Sequence, residues 1–279
     1  MSARAFVGPA PASGIPLDDR GFGYGDGLFE TMRASQGGVP WWDAHWSRLS
    51  RGAARLRIAL PDEPRVRDES ARLLAGRGGV LKLVVSRGAG GRGYAPDHSA
   101  SPTWVLSHHP VPPPTPSAGL VLRWCETRLA TQPALAGIKH CNRLEQVLAR
   151  AEWQDLPAAE QGVHDGLMRS SEGDVVCATA ANVFVLAAGR WTTPPIDRCG
   201  VEGVCRRWAI AALAAREGRL TVADVEAAEA VFLSNAVRGI LTVARLRSQS
   251  WSPHPQVSAL QRRLAAEHPA FSALPTELS

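Results

Sequence analysis

Of the 31 basic side chains in this 279-residue sequence, only two are lysines, Lys82 and Lys139, which leaves 29 arginines. A lysine amine attacks a carbonyl only when neutral, and burial or a neighbouring cation drives it toward that form. Any lysine chemistry therefore has two candidates, although a bias toward arginine would by itself leave a few lysines behind. A second pattern suits a phosphate. Gly200-Val201-Glu202-Gly203-Val204-Cys205-Arg206 reads as a glycine-rich turn opening a helix, whose first backbone N–H groups are unpaired and lie at its positive end. Arg48, on a helical stretch, could add a paired charge. Taken singly, such a glycine is usually only a turn and such an arginine only a solvated face.

Other chemistries are disfavoured by context. Residues 88–93, GAGGRG, match G-x-G-x-x-G after a strand, but Pro96 follows closely and blocks the helix that a dinucleotide pyrophosphate needs. The segment reads instead as an arginine-bearing loop. The eight histidines show no metal-ligand spacing, there is no H-E-x-x-H, and neither a G-x-S-x-G elbow nor a Walker loop occurs, so no metal is expected. Five cysteines, Cys125, Cys141, Cys177, Cys199 and Cys205, form no C-x-x-C pair, and a reducing cytoplasm suits them. The net charge of +5 comes from arginines scattered through apolar segments, unlike a nucleic-acid footprint. No apolar run approaches the roughly 18 residues that span a bilayer. A soluble cytoplasmic protein, bound to neither nucleic acid nor membrane, is expected.

The elements that must position these residues follow from periodicity. His108, His109 and the prolines after them read as a stiff linker, which suggests an N-terminal α+β domain over 1–109, a linker over 110–117 and a C-terminal domain over 118–279 carrying Lys139. In the first part, residues 4–7, 27–33, 39–42, 80–86 and 103–107 read as strands. Asp43 is expected to cap a helix bearing Trp46, Leu49, Ala53 and Leu56, and 65–74 is a second helix. In the second part, 119–124, 166–169, 174–177, 182–186 and 230–234 read as strands. A helix follows Asn142, its expected N-cap, with Leu144, Val147, Leu148 and Ala151 on one face; two more cover 204–216 and 260–267. Residues 248–279 suggest no role.

Together the segments resemble the fold-type-IV pyridoxal-phosphate (PLP) enzymes. Residues 19–31, DRGFGYGDGLFET, look like the opening signature of that family, followed by His45-Trp46-Ser47-Arg48-Leu49. Within it, SRG at 86–88, RGY at 92–94 and above all LAGIKHCNRLEQ at 135–146 are similar to the aminodeoxychorismate lyases. NVF at 182–184, GVEG at 200–203 and VFLSNA at 231–236 extend the likeness over residues 15–245.

The resemblance implies a two-domain, D-amino-acid-aminotransferase-like fold of mixed α+β and α/β character, with PLP between the domains, working as a homodimer. Lys139 becomes the Schiff-base lysine and proton carrier. Arg48, the backbone of Val204 and Cys205, and the turn at Asn235 and Ala236 become phosphate contacts. Arg87, Arg92, Tyr94 and Asn142 become candidates for the substrate, a small dicarboxylate. The implied reaction converts 4-amino-4-deoxychorismate to 4-aminobenzoate and pyruvate, a step toward folate. One position departs: where the family carries a glutamate against the pyridine nitrogen, this chain has Cys177, and a thiol keeps that nitrogen protonated poorly. Strand alternation turns Asp174 away from Cys177, and Glu172 offers no obvious substitute. The alternatives are a D- or branched-chain amino acid aminotransferase on the same fold, and a descendant that has lost catalysis.

Overall fold

The structure, a computed structural model, describes residues 2–97, 99–154 and 162–272. Contacts divide the chain into two units: Met1–Pro112 with Ile138–Arg143, and Pro113–Gly137 with Leu144–Ser279. The sequence boundary gave Lys139 to the second part, whereas its contacts group it with the first.

The first unit is an antiparallel five-stranded sheet with helices on one face. Its elements are β1 (Ser2–Val7), β2 (Ala10–Ala12), α1 (Arg20–Tyr24), β3 (Gly27–Ala34), α2 (Trp42–Leu56), α3 (Glu63–Leu74), β4 (Gly79–Ser86) and β5 (Thr103–His109), with strand order β2-β1-β5-β4-β3. Alternation along β3 buries Leu28, Glu30, Met32 and Ala34 and leaves Phe29, Thr31 and Arg33 half-buried. Against that inner face α2 turns Trp42, His45, Arg48, Leu49, Gly52 and Ala53, a helical stripe. Gly52 sits so close to Leu28 that a Cβ would lie 3.0 Å from its methyl. Leu81, Leu83, Leu106 and the stacked pair Phe6–Trp104 complete the core, each such side chain stabilising the fold by about 1.5–3 kcal/mol.

The second unit carries a nine-stranded mixed sheet. Its elements are β6 (Leu120–Leu129), α4 (Leu144–Ala151), β7 (Asp165–Ser170), β8 (Val175–Ala178), β9 (Asn182–Ala187), β10 (Arg190–Thr193), α5 (Val204–Leu213), β11 (Arg216–Glu217), α6 (Val222–Glu226), β12 (Ala230–Asn235), β13 (Gly239–Leu246), β14 (Gln249–Ser250) and α7 (Pro255–Glu267). The order is β11-β10-β9-β12-β13-β6-β7-β8, with β14 on β13; β6 runs parallel to both β13 and β7. Val183, Val185, Val231, Leu233, Leu241 and Val243 form its core. No helix of the described residues is long and apolar enough to cross a membrane.

Several expectations need correction. Residues 39–42 are not a strand: β3 stops pairing at Ala34, a turn closes Ser35 on Gly38, and Trp41 adopts φ +58°, so the aromatic run leads into α2 instead. Asp43 lies in the first turn of α2, paired with Arg67, rather than at the cap. His108 and His109 belong to β5, because β4 pairs with both and β1 with His108. Asn142 is not a cap; its amide donates to the Gly25 carbonyl. Leu144, Val147 and Leu148 are exposed, and Ala149 is the buried residue of α4. Asp174 precedes β8, and α5 ends at Leu213, where Ala214 turns left-handed and sends Arg216 and Glu217 into β11. The segment without an expected role holds α7, which starts at Pro255 and packs Leu264 over Gly239 beside β13.

Candidate active site

Lys139 is placed by backbone pairing. Phe29 N donates to Lys139 O and Cys141 N to Gly27 O, both at 2.9 Å, with Leu28 bridging His140 between them. The stretch thus lies antiparallel on the free edge of β3, and register puts Lys139 on the Phe29 face. Lys139 Nζ stands 4.2 Å from the centre of the Phe29 ring. The residue keeps some exposed surface, yet protein atoms crowd its amine. Burial, then Arg48, with smaller contributions from Arg143 and Lys82, lowers its pKa to about 7, against the pull of Glu30. A substantial share of the amine is therefore neutral near pH 7, ready for carbonyl attack.

Beneath the inner face of the same sheet lies a buried charge cluster. Arg48 Nε donates to Glu30 Oε1 at 2.8 Å and its Nη2 to Glu30 Oε2, while His45 Nδ1 lies 2.7 Å from Glu30 Oε2. Burial alone would raise the Glu30 carboxyl; Arg48 and His45 outweigh it and hold it at about 2. Since an ionised carboxylate only accepts, His45 carries its proton on Nδ1. Burial keeps the His45 pKa low, and its Nε2 is buried without a partner. The one-turn spacing of His45 and Arg48 on α2, and the inward position of Glu30 in the β3 alternation, bring the three together. Sequence reasoning named Arg48 and passed over Glu30 and His45; a carboxylate at an inward strand position was the available signal.

The substrate candidates separate. Arg87 is buried and its donors are largely spent: Nε and Nη2 hold Asp26 at 2.7 and 3.0 Å, and Nη1 and Nη2 hold the carbonyls of Arg57 and Leu56. That arrangement makes Arg87 a brace, tying β4 to the end of α2. Asp26 also accepts from Arg20 Nε at 3.0 Å, and although burial opposes them, Arg87 and then Arg20 hold its pKa below the usual carboxylate range. Arg20 in turn grips the Gly93 carbonyl, and Tyr24 accepts from Gly93 N. The loop is thereby tied to α1, leaving Arg92 and Tyr94 exposed upon it, as Asn142 is on its own segment.

On the second unit, Gly203 caps α5 without any side-chain hydrogen bond, and Val204 and Cys205 form the buried first turn. Only glycine fits that cap: a Cβ would stand 2.1 Å from Asn182 Oδ1, and Asn182 Nδ2 is already tied to the Val201 carbonyl. Ser234 lies opposite Asn182 across β9 and β12, fully buried, its hydroxyl without a partner. Asn235 Oδ1 accepts from Val237 N and Arg238 N, shaping the turn that includes Ala236. Cys177 lies in an apolar cluster with Met168, Val176 and Cys199. Asp174 pairs with Arg219 and Glu172 with Arg198, so both carboxylates are engaged elsewhere. Among the described residues no cluster of His, Cys, Asp and Glu could hold a metal.

The model of the family described as amino-transferase class IV matches residues 27–246. The chain belongs to that family. Members of the class IV family use PLP, and the two-sheet architecture is the fold-type-IV aminotransferase fold. An aminodeoxychorismate lyase from Vibrio harveyi is 34% identical over 93% of this chain and 97% of its own length. The crystal structure of 4-amino-4-deoxychorismate lyase from Pseudomonas aeruginosa superposes with a TM-score of 0.86 at 38% identity, covering 95% of this chain and 99% of that one. A more distant family relative, D-alanine aminotransferase from Bacillus licheniformis, is 25% identical over 90% of this chain and 90% of its own.

Proposed function

We propose that this class IV chain is a PLP-dependent carbon–oxygen lyase that converts 4-amino-4-deoxychorismate, a small dicarboxylate, to 4-aminobenzoate and pyruvate, acting as a homodimer. The observation that carries the reading is the likeness over more than nine-tenths of the chain to proteins named for that reaction, at 34% and 38% identity, against 30% for a putative branched-chain-amino-acid aminotransferase from Methanocaldococcus jannaschii and 25% for the D-alanine aminotransferase.

The residues present suit the cofactor. Lys139 offers an amine of lowered pKa for its aldehyde. On the second unit, the uncapped start of α5 and the unpartnered hydroxyl of Ser234 offer donors of the kind a phosphate takes. When bound, PLP supplies an aldehyde that holds the substrate amine and a ring that draws electrons from the attached carbon. The work of this chain is then proton handling: Lys139 removes the proton from the amine-bearing carbon, the carbon–oxygen bond to the enolpyruvyl group breaks, and the ring becomes aromatic. The departing enolpyruvate takes up a proton to become pyruvate, so no oxidant or reductant is needed. Aromatisation supplies driving force, so this elimination tolerates Cys177 where transamination would need a stronger electron sink. A Cys177→Glu variant is expected to gain transaminase activity; its failure to do so removes that argument for the lyase.

The test is direct. Protein supplied with PLP and 4-amino-4-deoxychorismate should release 4-aminobenzoate and pyruvate in equal amounts. Amino transfer to 2-oxoglutarate without 4-aminobenzoate would make the chain an aminotransferase, and failure to bind PLP would make it a descendant without catalysis.

A further inference from the structure

The only two lysines of a chain with 29 arginines stand on one aromatic ring. Lys139 Nζ lies 4.2 Å from the centre of Phe29, and Lys82 Nζ lies 5.4 Å from it. The strand register explains the meeting. Phe29 pairs with Val84 and Thr31 with Lys82, so Lys82 is the diagonal neighbour of Phe29 on the same sheet face, and Lys139 reaches that face from the free edge of β3. Two ammonium groups on one ring repel each other, and the ring attracts both.

We propose that Lys82 is a positioning residue for Lys139: with Phe29 as the shared platform, the charge of Lys82 holds Lys139 in its neutral, nucleophilic form. This rests on the reading of Lys139 as the reacting amine. The charged and titratable groups that act on Lys139 or feel its charge are Arg48 and His45 from α2, Glu30 from β3, Lys82 from β4, and His140 and Arg143 on its own segment. Of these, Arg48 is locked to Glu30, so its charge is largely offset. Arg143 lowers the Lys139 pKa more than Lys82 does, but Lys82 is the cation that shares the Phe29 ring with it, and it has no carboxylate partner among the described residues. Like charges 5.4 and 4.2 Å from one ring centre, in a half-buried site, shift a pKa by up to about one unit.

The titration can be read on the whole 279-residue chain without cofactor or substrate, so it does not depend on which reaction the protein performs. Lysine labelled with 13C at Cε gives two signals, and Lys82→Arg identifies them by removing one. In wild type the Lys139 signal should titrate near pH 7. In Lys82→Met the midpoint should rise by about one unit, and in Lys82→Arg, which keeps the charge, it should stay near the wild-type value. A midpoint equal in wild type and Lys82→Met, or an arginine variant that behaves like the methionine one, overturns the proposal. Should Lys82→Met not fold, Lys82→Gln takes its place, and a Lys139 midpoint equal to that of wild type overturns the proposal as well.

Discussion

One site in each unit handles buried polarity differently. In the first, the buried Glu30 is held by Arg48 and His45, and the half-buried Asp26 by Arg87 and Arg20, so both carboxylates have their cations already in place. In the second, the first turn of α5 has no side-chain cap and the hydroxyl of Ser234, fully buried, has no partner. Buried polar groups normally find hydrogen bonds, and the orphaned Ser234 hydroxyl, opposite the Asn182 that abuts the uncapped start of α5, is a place that a ligand could complete. The first unit is thus organised by its own charges around the lysine, whereas the second keeps donors in reserve. Stability should be the sensitive readout in the former and ligand affinity in the latter.

The largest effect should come from Lys139→Ala. Loss of the reacting amine is expected to lower lyase turnover at least about a thousandfold while leaving the fold intact. An absorbance spectrum with PLP, before and after borohydride, should show covalent trapping in wild type alone; trapping in the variant would break the assignment.

Glu30→Gln tests the self-contained cluster. Leaving Arg48 buried without its counter-ion should destabilise the protein by about 3–5 kcal/mol, measured by urea denaturation. The pH dependence follows from the sign of the shift. Because the folded Glu30 carboxyl sits at about 2, below its ordinary value of 4.5, its contribution is present above pH 4.5 and is lost as pH falls toward 2. Wild type should lose stability across that window, and Glu30→Gln should lose less there. Parallel curves would show that the cluster does not carry the acid sensitivity.

Gly203→Ala probes the second unit and should cost about 1–3 kcal/mol, because the new methyl displaces Asn182. Its PLP affinity should fall more steeply than its stability; equal losses would make the cap a purely structural device. Smallest of all, Ser234→Ala should change stability by less than about 1 kcal/mol, since the lost hydroxyl has no partner, yet weaken PLP binding measurably by equilibrium titration. Unchanged affinity would mean that the reserve of donors at Ser234 serves no ligand.

Much of the scaffold was legible along the chain. The alternation of β3 and β4, the helical stripe of α2, and the glycine turn that opens α5 are short-range patterns, set by residue periodicity and backbone freedom. The string around Lys139 pointed to the family that the model match then established. Legibility failed where local cues competed: an aromatic run before α2 read as a strand, and prolines after β5 drew two histidines out of it. Arg87 looked like a substrate residue because it is a polar member of a lyase-like string. Its partners Asp26, Leu56 and Arg57 lie 61, 31 and 30 positions away, and no local pattern announces them.

The sequence by itself determined which residues could react and which helix could offer free amides, because amine chemistry and helix ends are properties of short segments. Only the tertiary structure decided what each of them meets. Lys139 joins the edge of β3 more than a hundred residues upstream, Glu30 is committed to Arg48 and His45, and both lysines converge on Phe29. The physical reason is that a pKa, and the saturation of a donor, depend on charges and burial gathered from distant parts of the chain.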